Sequence, residues 1–172
     1  RESSYELLVL YLENKDINKA SSLIDNLISI DPSDDDFIFR VALLCFDKDY
    51  YDLSEKYFNI LLSKSYAPDN INFFLGQIDY QKKQYNEALA HYERIQQGTF
   101  VNTKLLNVAK ALYKKYDIKR AYNYLDEEVK IKTDSDSLNL LTLKLSLHQD
   151  PYDVDKILEI STKILESFPE NQ

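Results

Sequence analysis

Ala20, Ser54 and Ala88 stand 34 residues apart, and Ala121 follows after 33 more. Around each small residue the same apolar pattern returns, so the chain reads as copies of one unit, and self-similarity at such a period constrains the fold more than any local motif. In the first copy Tyr5, Leu7, Leu8 and Tyr11 recur at helical spacing, a polar break follows at Asn14 to Asp16, and Ile17, Ala20, Leu23, Ile24, Leu27 and Ile28 make a second helical run. Asp16 is expected as the N-cap of that run. Asp31-Pro32 stops it, because the proline ring disfavours helix at the preceding residue.

The second copy gives Val41, Ala42 and Cys45, then Tyr51, Ser54, Phe58 and Leu61. The third gives Leu75, Gly76, Tyr85, Ala88, Tyr92 and Ile95, and the fourth Leu105, Val108, Ala109 and Leu112, then Ile118, Ala121 and Leu125. Small residues are expected where two helices cross most closely, since a longer side chain would hold the backbones apart. The large residues Ile24, Phe58, Tyr92 and Leu125 then fill space against the next hairpin. The last segment is looser. Leu138, Leu141 and Leu145 continue the first-helix register, and Val154, Ile157, Ile164 and Leu165 fit a second helix after a lengthened turn, with Asp150 as N-cap and Pro151 just inside.

Only two glycines and four prolines in 172 residues favour long helices over many short strands. A formal net charge of -8 disfavours a nucleic-acid backbone or an anionic membrane surface as partner. No apolar run approaches the roughly 20 residues of a membrane span. The chain begins at Arg1 and contains no methionine, which predicts a piece of a longer protein. Phe168-Pro169, placed where a repeat would close, predicts further repeats or a capping helix beyond it.

Leu75-Gly76, Tyr85, Ala88 and Tyr92 in one copy, with Ala20 and Asp31-Pro32 in another, resemble the tetratricopeptide repeat (TPR) family. The resemblance implies an all-α fold, a right-handed α-solenoid of about five hairpins. The expected repeats are about 1–34, 35–68, 69–101, 102–134 and 135–172 of a single array. It also implies a concave groove lined by the first helices. Carried onto this sequence, the groove positions are Tyr5, Val9, Leu12, Phe39, Arg40, Leu43, Phe46, Asn70, Phe73, Phe74, Gln77, Tyr80, Leu106, Asn107, Lys110, Tyr113 and Lys114. Among these, Tyr5, Phe39, Phe73 and Leu106 are expected to form a ladder with Phe46, Tyr80 and Tyr113 beside it. Such a surface suits a peptide or partner helix with bulky apolar anchors.

Family members that hold the carboxylate tail of heat-shock chaperones use a Lys/Asn/Asn/Lys/Arg clamp. Tyr5, Val9, Arg40, Asn70 and Phe74 stand at those places and depart from it, so that partner is not expected. The run from Ala88 to Leu112 resembles bacterial cell-envelope repeat lipoproteins, which implies an adaptor on the periplasmic side of the envelope; a cytoplasmic location is the alternative.

Chemistry-bearing motifs are missing from the sequence. It has no glycine-rich phosphate loop, CxxC, HExxH or Gly-x-Ser-x-Gly elbow, so neither an enzyme nor a cofactor is expected. His91 and His148 are expected to be solvated and without a ligand-spaced partner. Cys45 reads as a small core residue. Asp31, Asp34, Asp35 and Asp36 read as helix-capping acids rather than a calcium loop, which would need alternating ligands and a glycine. Lys104, Lys110, Lys114, Lys115, Lys119 and Arg120 crowd the fourth copy against an acidic first 36 residues, an asymmetry that could steer a partner or a second copy of the chain. The expected activity is a non-enzymatic interaction scaffold, or else a structural segment of a longer array.

Overall fold

The computed structural model describes residues 2–96 and 100–169. Ten α-helices run in chain order among them: α1 (Glu2–Glu13), α2 (Ile17–Ile30), α3 (Asp35–Asp47), α4 (Tyr51–Ser63), α5 (Pro68–Gln81), α6 (Tyr85–Glu93), α7 (Val101–Lys115), α8 (Ile118–Glu128), α9 (Asp134–Leu147) and α10 (Val154–Ser167). The described residues contain no strand; a single bridge joins Gln149 and Tyr152 in the turn before α10. No described helix is long and apolar enough to cross a membrane.

Three of the turns between paired helices share one geometry, and it follows from the need to satisfy the last carbonyls of a helix. Lys15, Asp49 and Lys83 each adopt a left-handed conformation, with φ of 60°, 61° and 61°. The next N–H then reaches back five residues: Asp16 to the Tyr11 carbonyl, Tyr50 to Cys45 and Gln84 to Asp79, each at 2.8 Å. This is the Schellman closure, formed here without glycine. The α7–α8 turn departs from it. Tyr116 occupies the corresponding place, and an aromatic side chain at positive φ is costly, so the chain takes φ -122° and ψ -89°. The Asp117 side chain then caps α8 by accepting from the Arg120 N–H at 2.7 Å.

The chain divides into two compact units, residues 1–78 and 79–172. In the first, Leu8, Ala20, Ile24, Ile38, Val41, Ala42, Cys45, Tyr57, Phe58, Leu61, Ile71 and Ile78 are fully buried. Ser54 is buried too, with its hydroxyl donating to the Ala42 carbonyl at 2.8 Å. In the second, Ala109, Ala121 and Leu125 are fully buried, and Val129, Leu140, Leu143 and Leu147 pack with them. Ala88, Tyr92 and Ile95 are also closed to solvent. The small and large residues expected at hairpin crossings are therefore core residues.

Two expectations for the last hairpin are corrected. In α9 the buried residues are Leu140, Leu143 and Leu147, while Leu138, Leu141 and Leu145 are half-buried. Leucines stand almost all round this helix, so no single stripe marks its inner face in the sequence. α10 starts at Val154 with Asp153 as its N-cap, accepting from the Lys156 N–H at 3.1 Å, and Asp150 and Pro151 lie in the preceding turn. Two aspartates in one short run were equally good caps by sequence. α10 buries Ile160 and leaves Val154 and Leu165 exposed.

Candidate interaction surfaces

In the first unit Phe39, Phe46 and Phe73, expected on the groove, are joined through Phe74 into a cluster. Phe39 lies 5.9 Å from Phe58 and Tyr66 and 6.2 Å from Phe74 between ring centroids. Phe74 stacks on the buried Phe58 at 5.3 Å with only 4° between planes, and meets Phe46 at 5.4 Å and Phe73 at 5.3 Å edge to face. Phe39, Phe46, Phe73 and Phe74 are half-buried, so each spends part of its surface on the unit's own packing. Tyr5 and Gln77 are half-buried, and Arg40 is exposed with no charged partner among the described residues. Leu12, expected on the groove, is instead a core residue with 1% of its surface exposed, and its carbonyl accepts the Tyr50 hydroxyl at 2.6 Å. Its place one turn after Leu8 puts it on the inner face.

In the second unit Tyr80, Leu106, Lys110 and Tyr113 are half-buried and Lys114 is exposed. Tyr80 sits edge-on to Tyr85 at 5.6 Å. Burial first, and then the Asp150 carboxylate, pushes the Tyr80 hydroxyl up to about 12. Lys114 pairs with Asp150 at 3.3 Å, whereas Lys110 has no ion-pair partner among the described residues. Leu106 and Tyr113 pack against the Ala109–Leu125 core. Asn107, expected on the groove, is 8% exposed, and its Nδ2 has no hydrogen-bond partner among the described residues. It flanks Val108 and Ala109, which draws it inward.

Among the described residues, the titratable groups expected at the surface or in the core are placed as follows. His148 is 6% exposed, against the expectation of a solvated residue: its Nε2 and the Tyr122 hydroxyl share a hydrogen bond of 2.5 Å, and its Nδ1 lies 3.6 Å from an Asp153 oxygen. Burial, followed by nearby carboxylates led by Glu159, raises the Tyr122 hydroxyl above its ordinary range. His91 is half-buried with Nε2 3.7 Å from Asp79, so it too has a carboxylate beside it. The lengthened turn hides His148 by folding back on α8, which needs a tertiary partner that no local spacing announces. Cys45 is fully buried, and burial pushes its thiol up to about 12, far from a reactive thiolate. Asp34 caps α3 by accepting from the Phe37 N–H at 2.9 Å. No group of three metal-ligating side chains occurs among the described residues.

No family model matches the sequence, and no curated protein is detectably similar to it. Solved structures do resemble it. YrrB, described as a TPR protein with an unusual peptide-binding site, matches with a TM-score of 0.59 at 14% identity over 96% of this chain and 85% of its own. MamA matches with a TM-score of 0.61 at 11% identity over 94% of each chain. At such identities the likeness is one of fold: the chain has the all-α, helical-hairpin repeat fold of the TPR solenoid proteins.

Proposed function

We propose that this chain is a non-enzymatic protein interaction scaffold, built of five hairpins of about 34 residues, whose first helices take a peptide or a partner helix. One observation carries the reading. Between the buried packing positions of α3, α5 and α7, the side chains of Arg40, Phe73, Gln77, Lys110 and Tyr113 stay wholly or partly open to solvent, and Arg40 and Lys110 have no acidic partner among the described residues. An aromatic edge beside an unpaired cation favours a segment that combines a bulky apolar residue with a carboxylate. Tyr5 belongs with the patch of the first unit. Tyr80, Leu106 and Lys114 belong with that of the second. YrrB, which shares the fold, binds a peptide by its description, and this supports the reading by analogy of fold alone.

The test uses charge reversal, because truncating Phe39 or Phe73 would also damage packing. Peptides selected from a random display library on the wild-type chain should be enriched in apolar and acidic residues and should lose binding to Arg40→Glu and Lys110→Glu. Selected peptides that bind both variants as well as wild type would sink the assignment.

A second reading, a structural segment that assembles with other hairpins, is favoured by α10. Val154, Leu158 and Leu165 lie on one stripe of that helix and are 49%, 60% and 46% exposed. Light scattering should then show concentration-dependent association that Leu158→Lys abolishes; a strict monomer at all concentrations counts against it.

A further inference from the structure

Arg120, Asn123, Tyr124 and Glu127 fall at i, i+3, i+4 and i+7 of α8, which places them on one face. Arg120, Asn123 and Glu127 are exposed on that face, and Tyr124 is half-buried where it packs against the unit's core. It borders two adjoining depressions within the second unit that share Arg120 and Asn123. One of them, about 340 Å³, is floored by Leu89 of α6 with Val108 and Leu112 of α7. The space has a cause in the chain. α6 ends after 9 residues, where α2 and α4 run for 14 and 13, so less helix is available to cover α8.

The rim is polarised. Along α8, Arg120 stands at one end and Glu127 two turns on, and Glu93 also borders the depression. The side chains of Arg120, Asn123 and Glu127 make no ion pair or hydrogen bond with another described residue, whereas Lys104, also on the rim, is occupied by the Ile95 carbonyl at 2.8 Å. Seven residues of helix put Arg120 and Glu127 about 10 Å apart along the axis. A second helix laid beside α8 has the same rise. Its own i and i+7 side chains would meet the two charges, and its i+3 or i+4 side chain would enter the cleft over Leu89.

We propose that this face of α8 is a second docking surface, whose occupant is one face of an amphipathic partner helix. That helix carries Asp or Glu at i, a bulky aliphatic residue at i+3 or i+4, and Lys or Arg at i+7. In that charge order the helix lies parallel to α8; laid antiparallel, it would set like charges against Arg120 and Glu127. On α7 the groove positions Leu106 and Lys110 are turned by roughly 160° from Val108, at about 100° per residue. The two surfaces are therefore independent, and either stands if the other fails.

Four fluorescein-labelled, alanine-based helical peptides test it by anisotropy at low ionic strength. One carries Glu, Leu, Leu and Lys at i, i+3, i+4 and i+7; two carry the same leucines with Glu or Lys at both ends; the last has alanine in place of the leucines. The mixed peptide should bind about tenfold tighter than the other three. The chain's net charge of -8 biases against this outcome by favouring the doubly basic peptide. Arg120→Glu should transfer the preference to the doubly basic peptide, Glu127→Lys to the doubly acidic one, and Leu89→Asp should weaken the mixed peptide most. Equal binding of all four, absence of binding, or a ranking unmoved by Arg120→Glu overturns the proposal. The wild-type series decides it even where a variant fails to fold.

Discussion

The Ser54 hydroxyl donates to the Ala42 carbonyl at 2.8 Å, with both residues wholly closed to solvent. A hydroxymethyl fits between α3 and α4 where a longer chain would not, and its one polar atom is satisfied by the facing backbone. Ser54→Ala keeps the fit and loses a hydrogen bond of about 1 kcal/mol. Ser54→Leu must force the helices apart at a cost of roughly 1–3 kcal/mol or more. Urea unfolding followed by helical circular dichroism should rank wild type above alanine and alanine well above leucine.

Phe58 holds the aromatic cluster of the first unit, stacked on Phe74 and edge-on to Phe39. Its removal leaves a cavity as well as lost apolar burial, so Phe58→Ala should cost about 3–5 kcal/mol. Phe58→Leu should recover a large part of that. The midpoint of chemical unfolding measures both, and equal losses for the two variants would show that apolar volume alone is not what Phe58 contributes.

Lys83 has φ 61°, a conformation that costs a side-chain-bearing residue about 1–2 kcal/mol and glycine little. Lys83→Gly should therefore stabilise the chain by about 0.5–1 kcal/mol after the added freedom of the unfolded glycine is set against the gain. Asp49→Gly should gain less, since aspartate tolerates the left-handed region better. Thermal melts of the two variants test the order.

Asp136 closes a capping box with Thr133 at the start of α9. Hydrogen bonds from the Lys132 N–H, then the Thr133 hydroxyl and N–H, hold its carboxyl below the ordinary 3.8. A lowered folded value means that the group's contribution is complete above that ordinary value and fades as pH falls through the folded one. The stability gap between wild type and Asp136→Asn should accordingly be widest near neutrality and close on acidification. A gap independent of pH would assign the cap to hydrogen-bond geometry alone.

The 34-residue recurrence was legible because hairpin crossings admit only small residues, and Ala20, Ser54, Ala88 and Ala121 are all buried. Asp34 as a helix cap and Cys45 as a core residue were legible for similarly local reasons. Leu12, Asn107 and His148 were misplaced for a different reason. A repeat position fixes where a Cα lies around a helix axis, but burial also depends on what the adjacent hairpin brings over it. Of the α8 face with its unpaired Arg120 and Glu127, the sequence singled out only Arg120, as part of a lysine-rich stretch. The shortness of α6 that opens it involves where a helix ends, and the sequence signals for that are weak there.

The ring of Phe73 that faces solvent leans on Phe74, which in turn lies flat against Phe58. A partner seated on Phe73 thus presses on the same rings that join α3, α4 and α5. Occupancy of that patch should register as heat resistance of the first unit, so a thermal-shift screen would detect a ligand there before any assay of its biology exists.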